Sequence, residues 1–324
     1  MQKKLCFGLI VFFLLSTICS AKSAETNFTF SLEPKLSISY EKHGEYLLYD
    51  SKEPSSYLDW QFFPIIRSGI KTGFQFNHFF AAAEIAAGIP VPFGKMNDSD
   101  WNNNGLKYIY SENDAKLLSD FNTTLNFMYE IPFNRLDFFP SVQLSYAFKS
   151  FKAHDGHGWY GNHEYSKNGK DVSWDDENAR YYAHISGSSS YIINNFFTFI
   201  GCYGTFTITP KITIGLGSYI SPYTYIYTSD HHYKKSGEVS KYAYALQNAF
   251  FNRFKEELTF SLQLFEDLVF TADASSILGG KTYGEYAYYT RHPLFQEDFY
   301  LADKGLSASD LYTISINLGF KKIF

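Results

Sequence analysis

Cysteine is nearly absent from this 324-residue chain: there are three, and two of them, Cys6 and Cys19, fall within the first twenty residues. With that leader removed only Cys202 remains, so no internal disulfide can hold the fold and other interactions must do so. Basic charge in excess is also missing. The chain carries 28 Lys and Arg against 33 Asp and Glu, a formal net charge of −5 and a pI of about 6.0. That balance leaves no basic footprint for nucleic acid. Beyond the leader there is no run of eighteen or more uncharged apolar residues, which excludes a helical membrane span from the mature chain. No internal repeat of fixed period and no second domain can be discerned.

The leader itself, "MQKKLCFGLIVFFLLSTICSAKSAE", reads as a secretory signal over residues 1–24. Lys3 and Lys4 give the positive start, Leu5 to Leu15 the apolar stretch, and small residues from Ser20 to Ala24 a cleavage zone near Ala21, Ser23 or Ala24. A lipoprotein with Cys19 as the modified residue is the alternative, disfavoured by the bulky Ile18 before it. Either way the chain leaves the cytoplasm, and residues 25–324 form one domain.

Aromatic residues are abundant, at 20%, with 27 Tyr and 33 Phe, while mean hydropathy is only −0.23. Such a balance suits strands that face lipid on one side and water on the other. Period-two alternation runs through "FTFSLEPKLSISY", "TLNFMYEI", "SVQLSYAF", "GTFTITPKITIGLGSYI", "LTFSLQLF" and "LYTISINLGF". Short turns such as "EIPFNRLDF", "ITPKIT" and "FEDLVF" alternate with long polar insertions at 94–116, 152–188, 228–246 and 280–309. This is the layout of a closed antiparallel transmembrane β-barrel. Ten strands are expected, near 28–49, 57–73, 76–93, 116–132, 135–152, 187–207, 210–230, 246–264, 267–282 and 309–324. Several exceed the ~9–11 residues that cross a bilayer, so the wall should continue above the membrane on the extracellular side. The final "NLGFKKIF" suits a last strand closing the barrel at Phe324. A soluble β-sandwich is the competing architecture.

Two polar pairs stand out, Asp98 and Asp100 in "GKMNDSDWNNNG" and Asp230 and His232 in "YTSDHHYKK". Residues i and i+2 of a strand share a face, ~6.5–7 Å apart. If the third and seventh strands continue through these pairs, the pairs face each other across the barrel mouth. Here the residues resemble those of the omptins, the outer-membrane proteases of diderm bacteria. "MNDSDW" looks like that family's first catalytic motif and "SDHH" its Asp-x-His motif. "SSYLDWQF" at 55–62 and "SASDLYTISINLGFKKIF" at 307–324 resemble its second and last strands. The likeness runs in order over most of the mature chain.

What the resemblance implies can be written as chemistry. His232 is the general base that takes a proton from water, and Asp230 orients its ring. Asp98 and Asp100, crowded together, share a proton, position the water and bind the oxyanion. A peptide bond of a polypeptide outside the cell is then hydrolysed by water directly, with no cofactor or metal, by an enzyme of the outer membrane whose site faces outward. Lipopolysaccharide is implied as an activating lipid, without assignable residues. The family holds a basic side chain before the cleaved bond with acids. Glu45 matches the one on the first strand. Thr228 stands where a second acid is expected, and Ile109 near a third, for which Glu112 or Asp114 could substitute.

Other readings compete with each part. "DSDWNNNG" starts like a calcium loop, but Asn103 replaces the turn glycine and Ile109 the bidentate acid. His231 and His232, or His154, His157 and His163 in "HDGHGWYGNHE", could bind a transition metal, although such glycine-rich stretches are usually solvated loops. The chain could also be a non-enzymatic barrel, an adhesin or host-protein receptor using its Tyr-rich loops. A passive pore is disfavoured because side chains fill so narrow an interior.

Overall fold

The computed structural model describes residues 28–49, 53–185, 188–233, 238–291 and 299–324; the leader lies outside them. Among these residues fifteen β-strands make one antiparallel sheet arranged as a ring of ten positions. β1 (Phe28–Leu48) and β2 (Pro54–Phe76) come first. β3 (Phe79–Gly88) continues, past Ile89 and Pro90, as β4 (Val91–Trp101) at the third position. β5 (Lys107–Tyr129), β7 (Leu136–Tyr160), β9 (Ser188–Thr209) and β10 (Ile212–Tyr233) follow, with short β6 (Ile131–Phe133) and β8 (Arg180–Ile185) beside β7. β11 (Val239–Ala249) and β12 (Arg253–Phe265) share one position, and β13 (Leu268–Gly279) and β14 (Thr282–Arg291) the next. β15 (Phe299–Ile323) pairs with β13, with β14 and with β1, which completes the ring. Its terminal Phe324 exchanges backbone hydrogen bonds with Phe30.

At one rim the hairpins close in two residues: Asn77–His78, Asn134–Arg135, Pro210–Lys211 and Glu266–Asp267. Asn77 and Asn134 take the left-handed conformation, φ 52° and 57°, which asparagine tolerates better than most side chains. At the other rim the wall is taller than the sequence reading allowed. The polar insertions expected at 94–116, 228–246 and 280–309 are mostly strand among the described residues, because β4, β5, β10, β11, β14 and β15 run into them, whereas the one at 152–188 takes in the end of β7 and all of β8 but is turn and coil over 161–179. The alternation disappears there for a physical reason. Above the apolar band both faces of the wall meet polar surroundings, so nothing selects hydrophobic residues at every second place. Bulges interrupt the period as well, for example at Asp155, where φ is 51°.

The lower outer face is a band of exposed apolar side chains, including Leu36, Ile38, Ile70, Ile85, Leu125, Leu216, Leu258, Ile316 and Leu318. A patch of this extent requires an apolar environment. Inside, at the same height, Arg67 pairs with Glu41 (2.5 Å) and with Asp120, and Lys149 reaches Glu41 (2.5 Å). Above that charged level lies an apolar layer of Trp60, Phe62, Met96, Leu117, Phe151, Tyr191, Ile193 and Ile226. Trp60, Phe151 and Tyr191 stack on one another with centroids 5.5 to 6.2 Å apart. Side chains thus occupy the interior at two successive levels. The apolar layer is the floor of the groove above it.

Candidate active site

Asp98 and Asp100 both lie on β4, which runs through Trp101 before turning. The asparagines that follow build the hairpin tip. The Asn102 side chain accepts from the amides of Asn104 (3.0 Å) and Leu106 (3.1 Å), and Gly105 supplies φ 76°. That turn chemistry, rather than a cation loop, is what "NNNG" encodes. Met96, two residues below Asp98 on the same face, belongs to the apolar floor, so the alternation of β4 directs both aspartates into the groove.

Asp230 and His232 lie near the top of β10. Ile226, four residues below Asp230, is in the same floor, so this pair also points inward. His232 donates through Nε2 to Asp230 Oδ2 at 2.6 Å. That bond places the hydrogen on Nε2 and leaves Nδ1 free to accept one. The third and seventh positions of a ten-position ring stand on nearly opposite walls. The pairs sense each other: Asp230 raises the proton affinity of Asp98, and His232 lowers that of Asp100. Burial first, then the neighbouring Asp100, pushes the Asp98 carboxyl well above the usual range. Burial also raises Asp100, opposed by its hydrogen bond with Ser56.

Glu45 and Thr228 meet. They stand on β1 and β10, and the Thr228 hydroxyl donates to Glu45 Oε1 at 3.2 Å, both groups being buried just below Asp230. Burial, reinforced by Asp230, pushes Glu45 up to about 8. Tyr191, the Cα partner of Asp230 on β9, lies against this pair and is hydrogen-bonded to His43 Nε2 (3.1 Å).

Glu112 does not join the group. Ser111 is the partner of Asp98 in the register of β4 and β5, so Glu112 occupies the opposite face of the wall, where it accepts from Tyr110 at 2.9 Å. Asp114 lies on that outer face as well, paired with Lys95 at 2.7 Å. A polar insertion at 94–116 leaves their direction open, whereas an unbroken strand fixes it. His154, His157 and His163 diverge in the same way, each beside a different acid: Asp155, Glu112 and Asp171. Among the described residues no three His, Cys, Asp or Glu side chains converge on a point that could hold a metal ion.

Sequence reasoning missed Ser56, Tyr191 and Lys241. Lys241 is the Cα partner of His232 across β10 and β11 and bears on both Asp98 and Asp100. Only the pairing register identifies them; nothing in their local sequence distinguishes them from neighbours.

The architecture matches that of outer-membrane β-barrel proteins. The outer membrane protease OmpT from Escherichia coli superposes with a TM-score of 0.74 at 14% identity, over 94% of this chain and 100% of that one. Neisserial surface protein A matches at 7% identity and a TM-score of 0.31 over 90% of this chain and 96% of that one. OprG from Pseudomonas aeruginosa matches at 10% identity and a TM-score of 0.31, over 92% and 95%. No protein-family model matches the sequence. No curated protein matches it either.

Proposed function

We propose that this chain is an omptin-like endopeptidase of the bacterial outer membrane, a closed barrel whose groove opens to the outside of the cell. The observation that carries this reading is the Asp230–His232 hydrogen bond of 2.6 Å on a wall facing Asp98 and Asp100. In the proposed reaction His232 Nδ1 takes a proton from water as the water oxygen attacks the peptide carbonyl carbon. The carbonyl electron pair moves onto oxygen, which receives a hydrogen bond from the proton shared by Asp98 and Asp100. The carbon–nitrogen bond then breaks and the leaving amine takes its proton from the His232 imidazolium. Asp230 holds the ring and balances its transient charge.

The apolar outer band of the lower wall supports membrane insertion. The tall upper wall would stand outside the outer leaflet, where lipopolysaccharide is the proposed activating lipid and polypeptides the proposed substrates. Glu45 and Thr228 form the proposed pocket for the side chain before the cleaved bond. With Glu45 pushed up to about 8 and Thr228 neutral, this pocket carries little negative charge near pH 7. A weak preference for basic residues is the expected consequence.

The test is incubation of folded protein, in detergent supplemented with lipopolysaccharide, with a peptide library whose products are sequenced. Internal cleavage is expected. Heat-modifiable gel mobility verifies that the barrel is folded. A folded wild type that cuts nothing would sink the peptidase reading and leave a non-enzymatic adhesin or receptor. The stacked tyrosines of the upper outer wall, Tyr242 and Tyr289 at 5.0 Å, would be its natural contact face.

A further inference from the structure

Three carboxyls, Asp98, Asp100 and Asp230, line the groove against a single imidazole. Unmatched buried acids of this kind gather protons, and a pair that holds two protons or none cannot both accept from water and donate to an oxyanion. A cation in the groove would regulate that count. Among the described residues two lysines are near. Lys107 on β5 is surrounded by rings, with Nζ 4.2 Å from the Tyr110 centroid and 5.3 Å from that of Trp174, and of the pair it bears on Asp98 alone. Lys241 on β11 differs. It is the Cα partner of His232, so both side chains leave the same face of the sheet and enter the groove from one wall. It is half-buried, with Nζ 5.7 Å from the Tyr288 centroid, and bears on Asp98 and Asp100 together.

We propose that Lys241 is a positioning residue of this groove, whose ammonium faces the Asp98–Asp100 pair from the His232 wall and sets how many protons the pair carries. The inference rests on the peptidase reading only for its kinetic readout. Among the described residues the other titratable groups facing the pair are Asp230 and His232 from β10, Lys107 and Tyr108 from β5, Tyr160 from β7 and Tyr49 beyond β1. Of the two lysines, Lys241 bears on Asp100 and Lys107 on Asp98 alone. Lys241 is therefore the lysine placed to act on both members of the pair.

The sign follows directly. Removing a cation makes each aspartate hold its proton to higher pH. The pair then takes its second proton at higher pH and loses its last at higher pH. Both limbs of the bell-shaped rate profile should move to the alkaline side in Lys241→Met, by roughly one pH unit, the scale for charges several ångströms apart near a protein surface. Lys241→Arg should restore the wild-type profile. The same shift should be read without any turnover, by carbon-13 titration of the aspartate carboxyls, with Asp98→Asn identifying the signals of the pair. Lys241→Gln supplies a second neutral variant should Lys241→Met fail the heat-mobility check. Upward-shifted carboxyl titrations in a neutral variant support the proposal even where wild type cuts no peptide, in which case the peptidase reading alone fails. Unmoved carboxyl titrations, whether the rate is lost or retained, overturn it.

Discussion

Two groups of buried carboxylates sit inside one ring and are treated in opposite ways. In the lower interior Glu41 and Asp120 lie against Arg67 and Lys149, two acids with two cations in direct contact. In the groove above, Asp98, Asp100 and Asp230 have one histidine in contact and Lys241 at a distance. Matched charges inside a narrow ring hold opposite walls together and keep to fixed partners. Unmatched ones stay ready to exchange protons, a state that serves chemistry better than stability. The apolar layer of Trp60, Phe151 and Tyr191 separates the two levels, so changes in one should leave the other alone.

That contrast can be broken first in the upper group. His232→Ala and Asp98→Asn should each lower the peptidase rate by ~10²–10⁴-fold, the usual contribution of a positioned acid or base. Both should retain heat-modifiable mobility. A variant that keeps its rate, or that unfolds, would merge the two groups into one structural set.

In the lower group the opposite change is expected. Arg67→Met leaves Glu41 and Asp120 short of one cation, a defect that costs about 3–5 kcal/mol when a buried pair is broken. Urea unfolding in lipid vesicles measures that loss. The rate per folded molecule should stay within a factor of a few of wild type.

Between the two levels, Glu45 gives a pH test. Its pKa rises from 4.5 unfolded to about 8 folded, so the folded state holds the proton more tightly. Its contribution to stability is therefore complete below about pH 4.5 and is lost as pH rises toward 8. Relative to Glu45→Gln, wild type should lose on the order of 2–4 kcal/mol across that window, below the full linkage value because a relaxing or hydrated site softens the shift. Parallel stability curves for the two proteins would place Glu45 in a wetter site.

Specificity offers a smaller effect. Thr228→Asp adds the carboxyl that this pocket lacks and should sharpen the preference for Lys or Arg before the cleaved bond by ~1–3 kcal/mol. Glu45→Gln should nearly erase what preference exists. Cleavage confined to basic sites in both wild type and Glu45→Gln would assign the pocket to another acid. The smallest effect is expected from chelators, which should leave the rate unchanged, since no three suitable donors converge among the described residues. Inhibition reversed by zinc would redirect attention to the histidines.

Much of this was legible in the residue order. Alternation located the lower strands to within a few residues, as with 28–49 against β1 at Phe28–Leu48. The spacing of Asp98 with Asp100, and of Asp230 with His232, put each pair on one face once a strand was granted. Strand length told that the wall overshoots a bilayer, but its full height was not legible, because polar residues on both faces leave no period to read. Glu112 and Asp114 were misplaced for that reason.

By itself the sequence determined whatever depends on neighbours along the chain: the strand period, the tight turns at Asn77 and Asn134, the asparagine hairpin tip and the two i, i+2 pairs. Tertiary structure alone decided what depends on register between strands. It put Lys241 beside His232, Ser56 opposite Asp100, and Thr228 against Glu45 across 183 residues of chain. The physical reason is that a one-residue slip between strands sends every side chain to the other face. Local residue order does not encode that offset; closing hydrogen bonds around the whole ring does.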